Sequence, residues 1–275
     1  MAVTMADISH LRKMSGAGMM DCKKALEEAG SDFDKAMEII RKKGQAVAAK
    51  RSDREAAEGC VLAMECGEFA AVVALKCETD FVAKNEQFIS LTQDILNVAM
   101  NLKPANIEAL LSSPMADGRA VQEHITDRIG VTGEKMELGF YEFVNGATTV
   151  SYIHPGNKLA TIVAFNKAGV DHQVARDTAM QVAAMNPVAV RADEVAQHVI
   201  DTEMEIARDK AREAGKPENL LDRIAQGALQ KYYKENTLLQ QDFVKDAKIT
   251  VEQYLHQQNK ELTVLSFKRI TLNVD

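Results

Sequence analysis

The 275-residue sequence predicts an α+β protein, and three patterns carry that reading. Short apolar runs of strand length alternate with turn dipeptides, as in antiparallel sheets. Apolar residues at helical spacing open the chain and recur after residue 190. A strand, turn, strand, helix order occurs twice, which points to a duplicated α+β core of antiparallel sheets with helices. The expected organisation is an N-terminal three-helix module over residues 1–44 and a linker over 45–58. A first core subdomain follows over 59–136 and a second over 137–275. The second carries an inserted helical hairpin at 193–235 and a C-terminal segment, 237–275, of a helix and a strand.

The module comes first. Thr4 and Asp7 form a capping pair ahead of Ile8, Leu11 and Met14. Ser15-Gly16-Ala17-Gly18 breaks that helix, and Cys22, Ala25, Leu26 and Ala29 repeat at helical spacing up to Gly30. Ser31 or Asp32 caps a third helix with Phe33, Ala36, Met37 and Ile40 inward, closed by Arg41-Lys42-Lys43-Gly44. Met19 and Met20 stand at the break before the second helix, where adaptable side chains suit either a partner or the small core. Gln45 to Glu58, Ala-rich and charged, reads as a linker that can be helical in part.

The core starts at Gly59. Cys60 to Cys66 and Phe69 to Cys77 are two strands around Gly67-Glu68, a two-residue turn. Phe88, Leu91, Ile95 and Val98 then mark a helix. Pro104 and Pro114 punctuate a mixed stretch that holds a helix near Ala120 to Ile129. Leu138 to Val144 and Thr148 to His154 read as strands joined by Asn145-Gly146, a hairpin signal. Pro155-Gly156-Asn157 turns into a strand over Leu159 to Asn166, and a helix follows from about Asp171 to Met185. Asp193 to Ala214 and Glu218 to Glu235 form a charged helical hairpin around Gly215-Lys216-Pro217. Thr237 to Lys248 is irregular. Thr250 with Gln253 opens a short helix, and the alternation from Leu262 to Leu272 is a closing strand.

Composition narrows the function. A net charge of -7 and a pI near 5.5 argue against extended nucleic-acid binding. The absence of Trp and an aromatic content of 5% disfavour base-stacking platforms. No apolar run approaches the roughly 20 residues that span a bilayer, and the N-terminus carries no secretion pattern, so the expected location is the cytoplasm. No Gly-rich phosphate loop with its Lys occurs. Cys60, Cys66 and Cys77 lack zinc spacing and lie in apolar strands, where packing is the simplest role. Among the scattered histidines, His154 beside Pro155-Gly156 stands out by position alone. The expectation is a protein with no catalytic residue, metal ligand or cofactor.

The stretch with the most to say is Cys77-Glu78-Thr79-Asp80-Phe81-Val82-Ala83-Lys84, where a strand hands over to a helix. Two readings of it are open. Asp80 and Phe81 point outward together as a probe, or Phe81 is the first core residue of the helix and Asp80 or Thr79 its cap. At Thr79 to Lys84 the sequence resembles the bacterial elongation factor Ts family, and the likeness spreads over nearly the whole chain. Leu11-Arg12-Lys13 and Gly16 to Leu26 are similar to the family's N-terminal module of ubiquitin-associated (UBA-like) type. Tyr152-Ile153-His154, Phe243-Val244-Lys245-Asp246 and Thr250-Val251 match later family segments. Asn85, Pro155-Gly156-Asn157 and Asp242 depart from the family pattern.

The resemblance implies a guanine nucleotide exchange factor and not a bond-making enzyme. Its implied partner is elongation factor Tu carrying GDP, with no direct nucleic-acid or membrane contact. Whether it acts as a homodimer or in a two-to-two complex stays open. Thr79, Asp80, Phe81 and Val82 are the residues implied to dislodge the partner's magnesium ion. Leu11, Met19, Met20, Asp80, Phe81 and His154 are the implied partner contacts. An enzyme using Cys or His, or a passive adaptor that binds without changing nucleotide release, are the competing classes.

Overall fold

The computed structural model describes residues 3–273. Helices α1 (Met5–Ser15), α2 (Met19–Glu28) and α3 (Phe33–Arg51) form the N-terminal bundle. Thr4 caps α1 in a reciprocal box: the Asp7 amide donates to Thr4 Oγ1, and the Thr4 amide donates to the Asp7 carboxylate. Asp32 caps α3, while Ser31 takes φ +68 and turns the chain. Leu11, Cys22, Leu26 and Ala36 are fully buried between the three helices.

The third helix does not close at Gly44, and the stretch from 45 is not all linker. It stays helical to Arg51. Ala and Lys there are good helix formers, with no breaker until Ser52. Gly44 is itself buried, because α3 crosses α7 (Val121–Thr132) at this point. A Cβ added at Gly130 of α7 would sit 2.6 Å from the Gly44 Cα, so the approach requires glycine at 130.

Strands β1 (Glu58–Cys66) and β2 (Phe69–Cys77) pair antiparallel around Gly67, whose φ of +61 the turn requires. After β2 come the short α4 (Asp80–Ala83), α5 (Glu86–Leu102), α6 (Ile107–Ser112) and then α7. Strand β3 (Met136–Asn145) returns to pair with β2, giving the sheet order β1-β2-β3. Strands β4 (Thr148–Ile153) and β5 (Leu159–Phe165) form the next hairpin, and helix α8 (His172–Met185) packs on it.

The Asn145-Gly146 signal is not a hairpin. Strands β3 and β4 belong to different sheets. The Gly146 amide donates to Glu68 O, and a Cβ there would fall 2.7 Å from Phe165 O. Glycine therefore serves a close backbone crossing between sheets and not a tight turn.

Helices α9 (Gln197–Glu213) and α10 (Glu218–Asn236) pack antiparallel, chiefly on each other, through Ala207, Ala211, Leu221 and Ala225. The segment expected to be irregular holds a small hairpin, β6 (Asp242–Phe243) with β7 (Asp246–Thr250). Helix α11 (Val251–Gln258) starts at the expected Thr250–Gln253 box, and β8 (Val264–Thr271) completes the second sheet in the order β4-β5-β8.

The two sheets pack face to face. Val61, Ala63, Val72 and Ala74 meet Ala160, Ile162, Ala164 and Ile270 between them. The outer face of the first sheet receives Phe88, Leu91 and Ile95 of α5 with Ile125 and Ile129 of α7. The outer face of the second receives Ala175, Ala179 and Val182 of α8. Burial on both faces explains why β1, β2 and β5 read as continuous apolar runs. Each half is thus a three-stranded antiparallel sheet backed by a helix, and both backing helices end in a left-handed cap just before a proline, at Lys103 and Asn186.

One polar cluster ties the C-terminal segment to α8. The buried Asp177 carboxylate accepts from Gln173 at 2.6 Å, Lys245 at 2.7 Å and Tyr254 at 3.0 Å. Burial works to raise its pKa, but the donors prevail and hold it below the usual carboxylate value. The Tyr254 hydroxyl is pushed up to about 12, by burial and then by Asp177.

Candidate functional site

Strand β2 ends at the buried Cys77, and the chain turns at once into α4. Thr79 is the cap: its Oγ1 accepts from the Val82 amide, and its carbonyl accepts from the Ala83 amide at 3.1 Å. Ala83 is buried and Val82 packs against the first core, so these two side chains pin the short helix down. The remaining pair faces outward. Phe81 is 84% exposed, the most exposed large apolar side chain among the described residues. Asp80 bonds the Lys84 ammonium at 2.7 Å. That hydrogen bond, helped by the charges of Lys84 and Lys158, lowers the Asp80 pKa, so the group is an anion at neutral pH.

The corner is braced from behind by two carboxylates. Glu134 accepts from the Thr79 amide at 3.1 Å and from Thr79 Oγ1 at 2.7 Å. Glu78 accepts from the Lys135 amide at 2.6 Å and from Arg51 Nη1 at 3.2 and 3.3 Å. The turn between β4 and β5 lies alongside: Asn157 O accepts from the Val61 amide at 2.7 Å, and Lys158 pairs with Glu58 at 2.7 Å. The thiols nearby are unsuited to nucleophilic work. Burial raises Cys60 to about 11 and, with the Glu134 charge, Cys77 to about 12. Cys66 departs from the packing role expected of it, because β1 carries it out of the core into solvent. Among the described residues no three His, Cys, Asp or Glu side chains cluster as a metal site, and no helix is long and apolar enough to cross a membrane.

The sequence model of a family described as Elongation factor TS matches residues 78–273, starting at the corner itself. The full chain is similar to an elongation factor Ts of Porphyromonas gingivalis, 74% identical over 275 residues with 100% of both chains covered. It is likewise 56% identical to one from Azobacteroides pseudotrichonymphae over 275 residues and 46% identical to one from Bacteroides thetaiotaomicron over 332 aligned residues. Those two also match over 100% of each chain. The chain belongs to the elongation factor Ts family. It is a translation elongation factor, acting in protein biosynthesis.

Within this elongation factor Ts framework the other sequence-derived contacts fall in different places. Met19 and Met20 lie in the first turn of α2, 42% and 63% exposed. Leu11 is corrected as a contact: it is fully buried in the module core and can shape that surface but not meet a partner. Its i, i+3 spacing with the buried Ile8 marks the inner face of α1. His154 is exposed at the end of β4, its Nδ1 3.0 Å from the Tyr152 hydroxyl. Phe81 is corrected as a first core residue of its helix; Phe88, in the first turn of α5, takes that place.

Arg51, Glu134 and Lys135 carry no local signal of their role at the corner. Their partners lie 27, 55 and 57 residues away, so no local pattern announces them. A groove of about 890 Å³ also separates the module from α5 and α7, lined in part by Met14, Ile40, Arg41, Leu91, Leu102 and Arg128.

Proposed function

We propose that the protein is the guanine nucleotide exchange factor of elongation factor Tu. It binds Tu carrying GDP in the cytoplasm and promotes GDP release by disturbing the magnesium and phosphate site. Residues 1–44, through Met19 and Met20, dock on the partner, and His154 adds a contact from the second half. Asp80 and Phe81, carried by Thr79 and Val82, intrude near the ion. No bond is made or broken, so the protein works as a binding partner and not as a chemical catalyst.

The observation that supports this reading is the exposure of Phe81 on a helix of four residues whose cap and anchors are all buried or braced. Leaving a ring in water forgoes about 1.5–3 kcal/mol of burial. A fold that accepts this loss at a rigid point has a knob ready to be buried elsewhere. Loosening GDP a thousandfold takes about 4 kcal/mol of coupling, more than one ring supplies. The wider surface must therefore hold Tu in a shape that disfavours the nucleotide. Coupling is reciprocal, so GDP weakens the hold of this protein on Tu by the same factor.

The test is the rate of loss of fluorescently labelled GDP from Tu with and without the full chain. A rate that rises with added protein is expected. Binding with an unchanged release rate would make the protein a passive adaptor and end the proposal.

A further inference from the structure

Helix α3 belongs to the module at one end and to the probe corner at the other. Its first turns pack Ala36 into the module core. Lys43, midway, bonds Asp21 in the first turn of α2, the turn that presents Met19 and Met20. Gly44 then locks against Gly130 of α7. One turn later Val47 and Ala48 pack on the core of the first sheet. The helix ends at Arg51, whose guanidinium takes both oxygens of Glu78, the residue before Thr79. From Lys43 to Arg51 is ~12 Å of continuous helix.

The link after α7 closes the knot. Its Glu134 carboxylate grips Thr79 by two hydrogen bonds, and its Lys135 amide donates to Glu78. The Lys135 ammonium bonds Arg54 O, just beyond the end of α3, at 2.9 Å. Glu78 and Thr79, which lead into α4, are therefore held by α3 and by the link beside its end, while Val82 and Ala83 seat the short helix on the first core.

We propose that α3 is a rigid strut and Arg51 a positioning residue: by clamping Glu78 it transmits the seat of the docked module to the aim of Phe81. The inference deepens the exchange-factor reading and rests on it. A flexible tether would let the module dock while the ring sampled many directions, and the binding energy of the module would not reach the magnesium site. A helix locked at a glycine crossing makes docking and insertion one event. In the clamp one nitrogen, Arg51 Nη1, donates to both Glu78 oxygens, with 37% of the Arg51 and 16% of the Glu78 side chain exposed, so the pair is partly shielded from water. Arginine suits this role better than lysine, because a planar guanidinium holds a more defined direction than a freely rotating ammonium.

The experiment titrates Tu loaded with fluorescent GDP with the full chain and separates the plateau release rate from the half-saturating concentration. For Arg51→Met the plateau falls about fivefold while half-saturation stays unchanged, since the docking surface is intact and its aim is lost. Arg51→Lys recovers part of the plateau, which a merely structural loss would not produce. A plateau unchanged in Arg51→Met overturns the proposal, as does a loss confined to half-saturation, a loss equal in Arg51→Lys, or unfolding by circular dichroism. Phe81→Ala separates the two readings. Acceleration by the wild type that is reduced in Phe81→Ala but kept in full in Arg51→Met sinks the strut alone. No acceleration by the wild type sinks both.

Discussion

Replacing Phe81 by Ala separates what the ring does for this chain from what it does for a partner. At 84% exposure the ring gives the folded protein almost nothing, and Ala is the better helix former. The change in stability should stay within about 0.5 kcal/mol. Against Tu the same ring would pass from water into contact and lose about 1.5–3 kcal/mol of burial when removed. At 1.4 kcal/mol per tenfold, GDP release at saturation should slow by roughly 10- to 100-fold. Some acceleration should survive, because the rest of the surface still binds. Stopped-flow release of labelled GDP measures the rate, and a thermal melt of the free protein measures the fold. A variant that melts several degrees lower would show that the ring packs at home. An unchanged release rate in a well-folded variant would remove Phe81 from the mechanism.

Three further outcomes follow from the same geometry. Met19→Ala with Met20→Ala should weaken binding to Tu by about tenfold, as two half-exposed side chains are lost, with the melting curve unchanged; calorimetry measures the affinity, and an equal affinity would refute the docking role. Asp177→Asn should destabilise the fold by about 2 kcal/mol near neutral pH, because the Lys245 ammonium loses its anionic partner and one of the two acceptor oxygens serving Lys245, Gln173 and Tyr254 becomes a donor. The Asp177 pKa is lowered in the fold, so its contribution is present above the unfolded value near 3.8 and is lost as pH falls through the folded one. Urea melts of wild type and variant should therefore converge only in strong acid, and convergence at pH 6 would contradict the assignment. In the native protein Cys66 should react quickly with a thiol reagent at pH 8, while Cys22, Cys60 and Cys77 wait for unfolding; fast reaction of a second thiol would show that the sheet opens locally.

Much of this protein is written in short stretches of chain. The Thr4–Asp7 and Thr250–Gln253 boxes, the Gly67-Glu68 turn and the run into α5 all form where neighbouring residues prescribe them. Each depends on groups a few residues apart, and such interactions survive in any context that does not oppose them. The apolar runs of β1, β2 and β5 likewise announce strands that must be covered on both faces. The stretch from Thr79 to Lys84 carries the family likeness and with it the direction of the functional reading.

Contacts between distant parts of the chain decided the rest. Leu11 and Phe81 are both large apolar residues on helices, yet one is sealed in and the other stands in water. The neighbours that cover Leu11 come from α2 and α3, and no element among the described residues covers Phe81. Asn145-Gly146 has the composition of a hairpin, but the pairing of β3 with β2 sends the chain across to the other sheet. Gly44 looks like a helix stop until α7 arrives with Gly130. Arg51 meets Glu78 only because that crossing sets the line of α3. Burial and ion pairing are properties of the assembled packing, so they become visible only once the distant surfaces have met.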